Sequence, residues 1–110
     1  MKILKFNEKF YNPVIEGIKV ATTRNRHKDL SAGDNIKLIF TNIDSLDGKL
    51  SLFAIVESVE KINYCDITSM HAESEGHRDV DSFKNSLKEF YPSLRYDSEL
   101  YYIKFKLKEI

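Results

Sequence analysis

Residues 17–24 read Gly17-Ile18-Lys19-Val20-Ala21-Thr22-Thr23-Arg24, and this stretch decides the fold and locates the chemistry. From Val20 to Asn25 β-branched residues dominate, which suits a strand. A period of two then puts Val20, Thr22 and Arg24 on one face, so Thr22 and Arg24 can share a pocket. Lys19 stands an odd number of positions from Thr22. On a regular strand it would face the other way, so it belongs in the loop before the strand or at a bulge.

Upstream, Lys2 to Phe6 reads as a short strand, with Asn7 as cap for a helix that ends at Gly17 and turns Phe10, Val14 and Ile15 to one side. Pro13 either disturbs that helix or, with Asn12 as the true cap, opens a single short turn. Downstream come the basic stretch Arg26, His27 and Lys28, a turn through Gly33, and a strand from Ile36 to Thr41. Asp47-Gly48 suits a hairpin turn, after which Lys49 to Ile62 is a long strand with room for a bend. Asp66 is expected to cap a helix through Glu75, stopped by Gly76 and carrying Ile67, Met70, His71 and Ser74 on one side. A second helix runs from about Val80 to Tyr91, with Val80, Phe83, Leu87 and Phe90 as its apolar stripe. The last strand alternates Tyr101, Ile103, Phe105 and Leu107 against Tyr102, Lys104, Lys106 and Lys108. Strands at both ends with helices between them predict an α+β domain, a β-barrel of about five to six strands with two to three helices packed around it.

The bulk numbers narrow the function. The 110 residues fit one domain, 1–110, because two cores would each be marginal in size. Lys plus Arg equals Asp plus Glu at 17 each, so the whole-molecule field does not draw polyphosphate non-specifically, although a local basic patch is compatible with it. One cysteine, Cys65, builds neither an internal disulfide nor a multi-thiolate zinc site. The amino terminus carries no apolar run of signal length, and no segment approaches a membrane span. A cytoplasmic monomer or weak homodimer is the expectation.

The spacing glycine-x-lysine-x-x-threonine-x-arginine at Gly17, Lys19, Thr22 and Arg24, followed by Gly33-Asp34 before a strand, resembles the signature of the ASCH family, a PUA-like barrel group. Phe6 and Phe10 stand where that family carries aromatics. The likeness continues through His71-Ala72-Glu73-Ser74-Glu75, Phe90-Tyr91-Pro92 and the last strand, and so covers nearly the whole chain. Within the family the chain is most similar to small bacterial N(4)-acetylcytidine amidohydrolases. That resemblance implies a metal-independent enzyme without cofactor that removes the acetyl group from N(4)-acetylcytidine or a related acylated nucleoside. Its catalytic residues would fall on Lys19, Thr22 and Glu75, with Phe6, Arg24, Arg26 and Tyr91 holding the substrate. The resemblance equally admits an RNA-binding module without hydrolase activity, or a ribonuclease.

Amide hydrolysis needs a nucleophile, a proton acceptor, a proton donor for the leaving amine and a group that stabilises the oxyanion. Thr22 would attack the carbonyl. Lys19 is either its base or, beside an ionised Glu75, a cation that polarises the carbonyl while Glu75 moves the protons. Glu75 sits in the last turn of its helix, where the dipole disfavours a negative charge. Arg24 can hold a carboxylate or a base carbonyl through its forked donors, and Tyr91 or Tyr102 can stack on a base. The plainer readings are an ordinary half-exposed strand at Lys19 to Arg24, a packed or capping His71, and His27 and His77 in solvent-facing loops. His71 and Glu75 are four apart on one helical face, but no second pair completes a metal site.

Overall fold

A computed structural model describes residues 1–26, 29–41 and 50–108. Five strands form one sheet in the order β1-β3-β4-β5-β2: β1 is Lys2–Asn7, β2 Ala21–Arg24, β3 Asn35–Thr41, β4 Leu50–Asn63 and β5 Glu99–Leu107. β1 pairs with β3 in parallel, and the remaining pairs are antiparallel, which makes the sheet mixed. The expected bend in the long strand is a register shift between Val56 and Ser58, where the β4–β5 ladder skips Glu57. The sheet curls into a half-barrel with β1 and β2 at its edges. Arg24 on β2 reaches across the opening and donates from Nη2 to the Lys5 carbonyl on β1 at 2.7 Å.

The sheet carries a core on each side, although the outward face of β1 and the first half of β4 stays exposed at Ile3, Phe53 and Ile55. Leu4, Phe6, Ile36, Leu38, Phe40, Ala54, Val56, Ile103 and Phe105 fill the concave side, closed by Val14 from helix α1 (Tyr11–Ile15). Each of the Leu, Ile, Val and Phe side chains among them contributes about 1.5–3 kcal/mol on burial. Ala21, Ile62, Leu100 and Tyr102 point the other way into a second core under α2 (Ser69–Ser74) and α3 (Val80–Phe90), together with Ala72, Phe83 and Leu87. The alternation of β5 is therefore not apolar against polar along its whole length. Lys106 is exposed as expected, whereas Tyr102 is buried beneath the helices, its hydroxyl 2.5 Å from Ser74 Oγ, which itself donates to the His71 carbonyl.

Two helix starts differ from the expectation. The chain after Asn7 forms a 3-10 turn, Glu8–Phe10, with the Asn7 side chain accepting from the Lys9 amide, before α1 begins at Tyr11. Pro13 thus falls in the first turn of α1, where its missing N–H needs no partner. Asp66 does not cap α2. It lies in a 3-10 turn, Tyr64–Asp66, and Thr68 takes the cap because its extended backbone (φ −111°, ψ 172°) lets its amide donate to His71 Nδ1 at 3.0 Å. The expected packed or capping role of His71 holds. The Asp47-Gly48 turn, His27 and Lys28 lie outside the described residues. No helix among the described residues is long and apolar enough to cross a membrane.

Candidate functional site

Lys19 is set in place by the turn that ends α1. Gly17 adopts φ +76°, and the amides of Ile18 and Lys19 both donate to the Pro13 carbonyl, at 2.9 and 3.0 Å. Lys19 therefore precedes β2, as the spacing requires, and forms an isolated antiparallel bridge with Glu75. Glu75 comes to that bridge through the C-terminal turn of α2. Gly76 at φ +81° donates to the Glu73 carbonyl and His77 to the Ala72 carbonyl, both at 2.9 Å, which is a Schellman closure. A Cβ at position 76 would lie 3.3 Å from Ile18 Cγ2, so glycine meets both the left-handed backbone and the close approach of the Lys19 loop.

These two turns bury a small polar cluster. Lys19 is 5 % exposed, and Thr22, Thr23 and Glu75 are 6 % exposed each. Lys19 Nζ donates to Glu75 Oε1 at 2.5 Å and Thr23 Oγ1 to Glu75 Oε2 at 2.5 Å, so each carboxylate oxygen has a donor. Thr22 points to the opposite side of β2, where its Oγ1 accepts from Arg24 Nε at 3.2 Å. The expected sharing of a pocket by Thr22 and Arg24 is observed. The lysine, both threonines, the arginine and the glutamate all line one cavity of about 130 Å³ at the open edge of the half-barrel.

The walls are aromatic. Phe6, Phe10, Phe83, Phe90 and Tyr91 line the cavity along with Leu87. Phe6 is stacked on Phe40 at 5.3 Å between centroids, and the Arg24 guanidinium lies 4.7 Å from its ring centre, so it serves as a supporting wall. Phe10, half-buried with Lys19 Nζ 5.0 Å from its ring centre, and half-buried Tyr91 offer more accessible ring surface. Arg26 is exposed and is not among the lining residues, and Tyr102 is in the second core rather than the cavity.

Thr23, Phe10 and His77 belong to the site although the sequence did not single them out for it. Thr23 was hidden by the period of two, which turns it away from Thr22; at an edge strand covered on both sides, both hydroxyls reach the same cavity. His77 was expected in solvent. It instead packs on the Phe83 ring at 5.2 Å, sets Nδ1 3.2 Å from Ser82 Oγ and lines the cavity. A signal was available in its place one residue beyond the glycine that stops α2.

Burial lowers the Arg24 guanidinium from its usual value, with Tyr91 and Glu75 opposing the shift. Arginine remains a cation regardless. Since Lys19 and Glu75 offset each other, the cavity has one buried positive group, suited to a carbonyl oxygen or other acceptor. Burial, followed by the nearby Lys19 cation, holds His77 below the ordinary histidine value, with Glu75 opposing. The folded protein thus binds fewer protons at this group than the unfolded chain, so acid draws the equilibrium toward unfolding. In an NMR titration His77 is expected to titrate below about 6.5. Stability is expected to fall as pH drops through that value, less steeply in His77→Gln. Among the described residues no group of three or more His, Cys, Asp or Glu side chains could hold a metal ion.

No protein-family model matches the chain, and no curated protein matches it. Solved structures do. The ASCH domain of Lactobacillus crispatus superimposes with a TM-score of 0.69 at 21 % identity, over 96 % of this chain and 79 % of that one. Protein EF3133 from Enterococcus faecalis gives a TM-score of 0.67 at 16 % identity, over 96 % and 78 % of the two chains. The hypothetical protein PH0355 gives 0.71 at 14 % identity, over 98 % and 100 %. With a curled five-stranded mixed sheet, helices on its flank and nearly full-length superposition, this chain has the fold of the ASCH domain.

Proposed function

We propose that this chain is a member of the ASCH family whose cavity receives a single nucleobase, either of a free nucleoside or of an unpaired position in RNA. The observation that carries this reading is a one-ring cavity with aromatic walls and a polar floor. Its volume of about 130 Å³ is close to the about 150 Å³ that admits a benzene ring in an engineered core. Aromatic rings accept any base by stacking, and the floor supplies the choice among bases. Arg24 can donate to a ring carbonyl, and Glu75 can accept from an exocyclic amine, which selects cytosine over uracil. Balanced overall charge favours a small ligand over long RNA.

A finer reading has this chain act on the base it holds, removing the acetyl group from N(4)-acetylcytidine to give cytidine and acetate. The buried Lys19–Glu75–Thr23 cluster, with Thr22 beside it, favours this, because ion pairs are rarely buried at a cavity floor for stability alone. Lys19 is ion-paired, so it serves as a cation at the acetyl oxygen, and Glu75 moves protons. Thr22 Oγ would bond to the acetyl carbon as the carbon–N4 bond breaks, with the proton passing to the departing amine. Water would then release acetate from the threonine. Binding without turnover is favoured by a different observation: the hydroxyl of Thr22 contacts Arg24, and Glu75 is engaged by Thr23 instead.

Ultraviolet-monitored incubation with N(4)-acetylcytidine, run beside calorimetric titration with cytidine and uridine, tests both levels. Turnover with cytidine release supports the hydrolase. Saturable cytidine binding without turnover leaves the base-binding domain alone. Failure to bind either nucleoside, together with salt-sensitive binding of RNA oligomers, moves the function to an RNA surface outside the cavity.

A further inference from the structure

We propose that Thr23 is a positioning residue that clamps Glu75 in its working orientation. This rests on the base-binding reading and adds a residue that neither the signature nor the spacing assigns. The terminal torsion of a glutamate is broad, so one contact at one oxygen leaves the carboxylate free to swing about that axis. In this chain both oxygens are held. Lys19 Nζ occupies Oε1 and Thr23 Oγ1 occupies Oε2, each at 2.5 Å, and the two donors approach from different elements, the loop before β2 and β2 itself. An ionised carboxylate has about four acceptor positions. Two are filled by the clamp, and the remaining ones are left to meet the exocyclic nitrogen of a bound base or a proton in transfer.

The adjacent threonines thereby divide the work. Thr22 is turned toward Arg24 and Thr23 toward Glu75, although both line the cavity. The parity of the strand enforces that division, so neither hydroxyl can substitute for the other. Thr23 is a β-branched residue with its side chain buried, and its χ1 is stiff, which makes the hydroxyl a fixed rather than a searching donor.

Thr23→Val removes the hydroxyl at nearly unchanged shape, and Thr23→Ser retains it. Two readouts decide the proposal. The first is the nitrogen-15 resonance of the Lys19 ammonium, which is expected to be protected in the wild type and in Thr23→Ser. It should broaden or vanish in Thr23→Val, where the carboxylate is free to leave Lys19. The second is the functional constant that the wild type provides. For a hydrolase, kcat falls about ten-fold in Thr23→Val with little change in KM; for a binding domain, the Kd for cytidine rises about ten-fold. Thr23→Ser recovers most of either loss. A Lys19 signal and functional constant unchanged in Thr23→Val would overturn the clamp, as would an equal loss in Thr23→Ser. If the wild type neither binds nor converts a cytidine, the base-binding reading fails, and the Lys19 resonance still decides the clamp by itself.

Discussion

Lys19→Met is expected to lower the stability of this domain by about 3–5 kcal/mol in urea denaturation, among the largest effects a single side chain can have here. The reason is the burial of its partner. Glu75 is 6 % exposed, and without Lys19 its carboxylate retains only the Thr23 hydroxyl. Introducing Glu75→Leu into the same chain should recover much of the loss, because replacing both members of a buried pair by apolar groups is often close to neutral, whereas removing one is not. The comparison of single and double variants by urea midpoint at constant slope is the check. Equal losses in Lys19→Met and the double variant would show that the ion pair does not govern stability at this site. The pair costs desolvation on both sides, so its persistence is better understood through the cavity it borders than through folding.

Glu75→Gln and Thr22→Ala are expected to reduce turnover of N(4)-acetylcytidine by about 10²–10⁴-fold if the chain is the hydrolase. Glu75→Gln retains the size of the side chain and removes its capacity to take and return a proton. Thr22→Ala removes the attacking oxygen while the Thr23–Glu75 bond is left in place. The measurement is kcat and KM by ultraviolet absorbance, with circular dichroism to show that each variant is folded. Loss in Thr22→Ala with KM preserved identifies an interaction made only in the transition state. Full activity in Thr22→Ala would assign the attack elsewhere, to water activated by Glu75. A binding domain gives a different pattern, in which no variant has turnover to lose and Glu75→Gln weakens cytidine more than Thr22→Ala does.

What the sequence by itself determined is local. Alternation along residues 20–24 was enough to put Thr22 and Arg24 on one face, and they meet at 3.2 Å; the odd spacing of Lys19 was enough to expel it from the regular strand. The strands, the length of α3 and the room for a bend in β4 follow from periods of two and 3.6 and from turn residues, all properties of neighbouring positions. Tertiary structure decided everything that depends on which element covers a face. Thr23 looked like the back of a strand until α2 brought Glu75, 52 residues away, against it. Tyr102 looked half polar until two helices made a second core on its side of the sheet, and His77 looked solvated until Phe83 and Ser82 received it. Asp66 and Thr68 were both chemically able to cap a helix, and only the backbone path into α2 chose between them. Periodicity assigns a side chain to a face, but long-range strand pairing and helix docking determine what that face meets, and the buried ion pair exists only once both are complete.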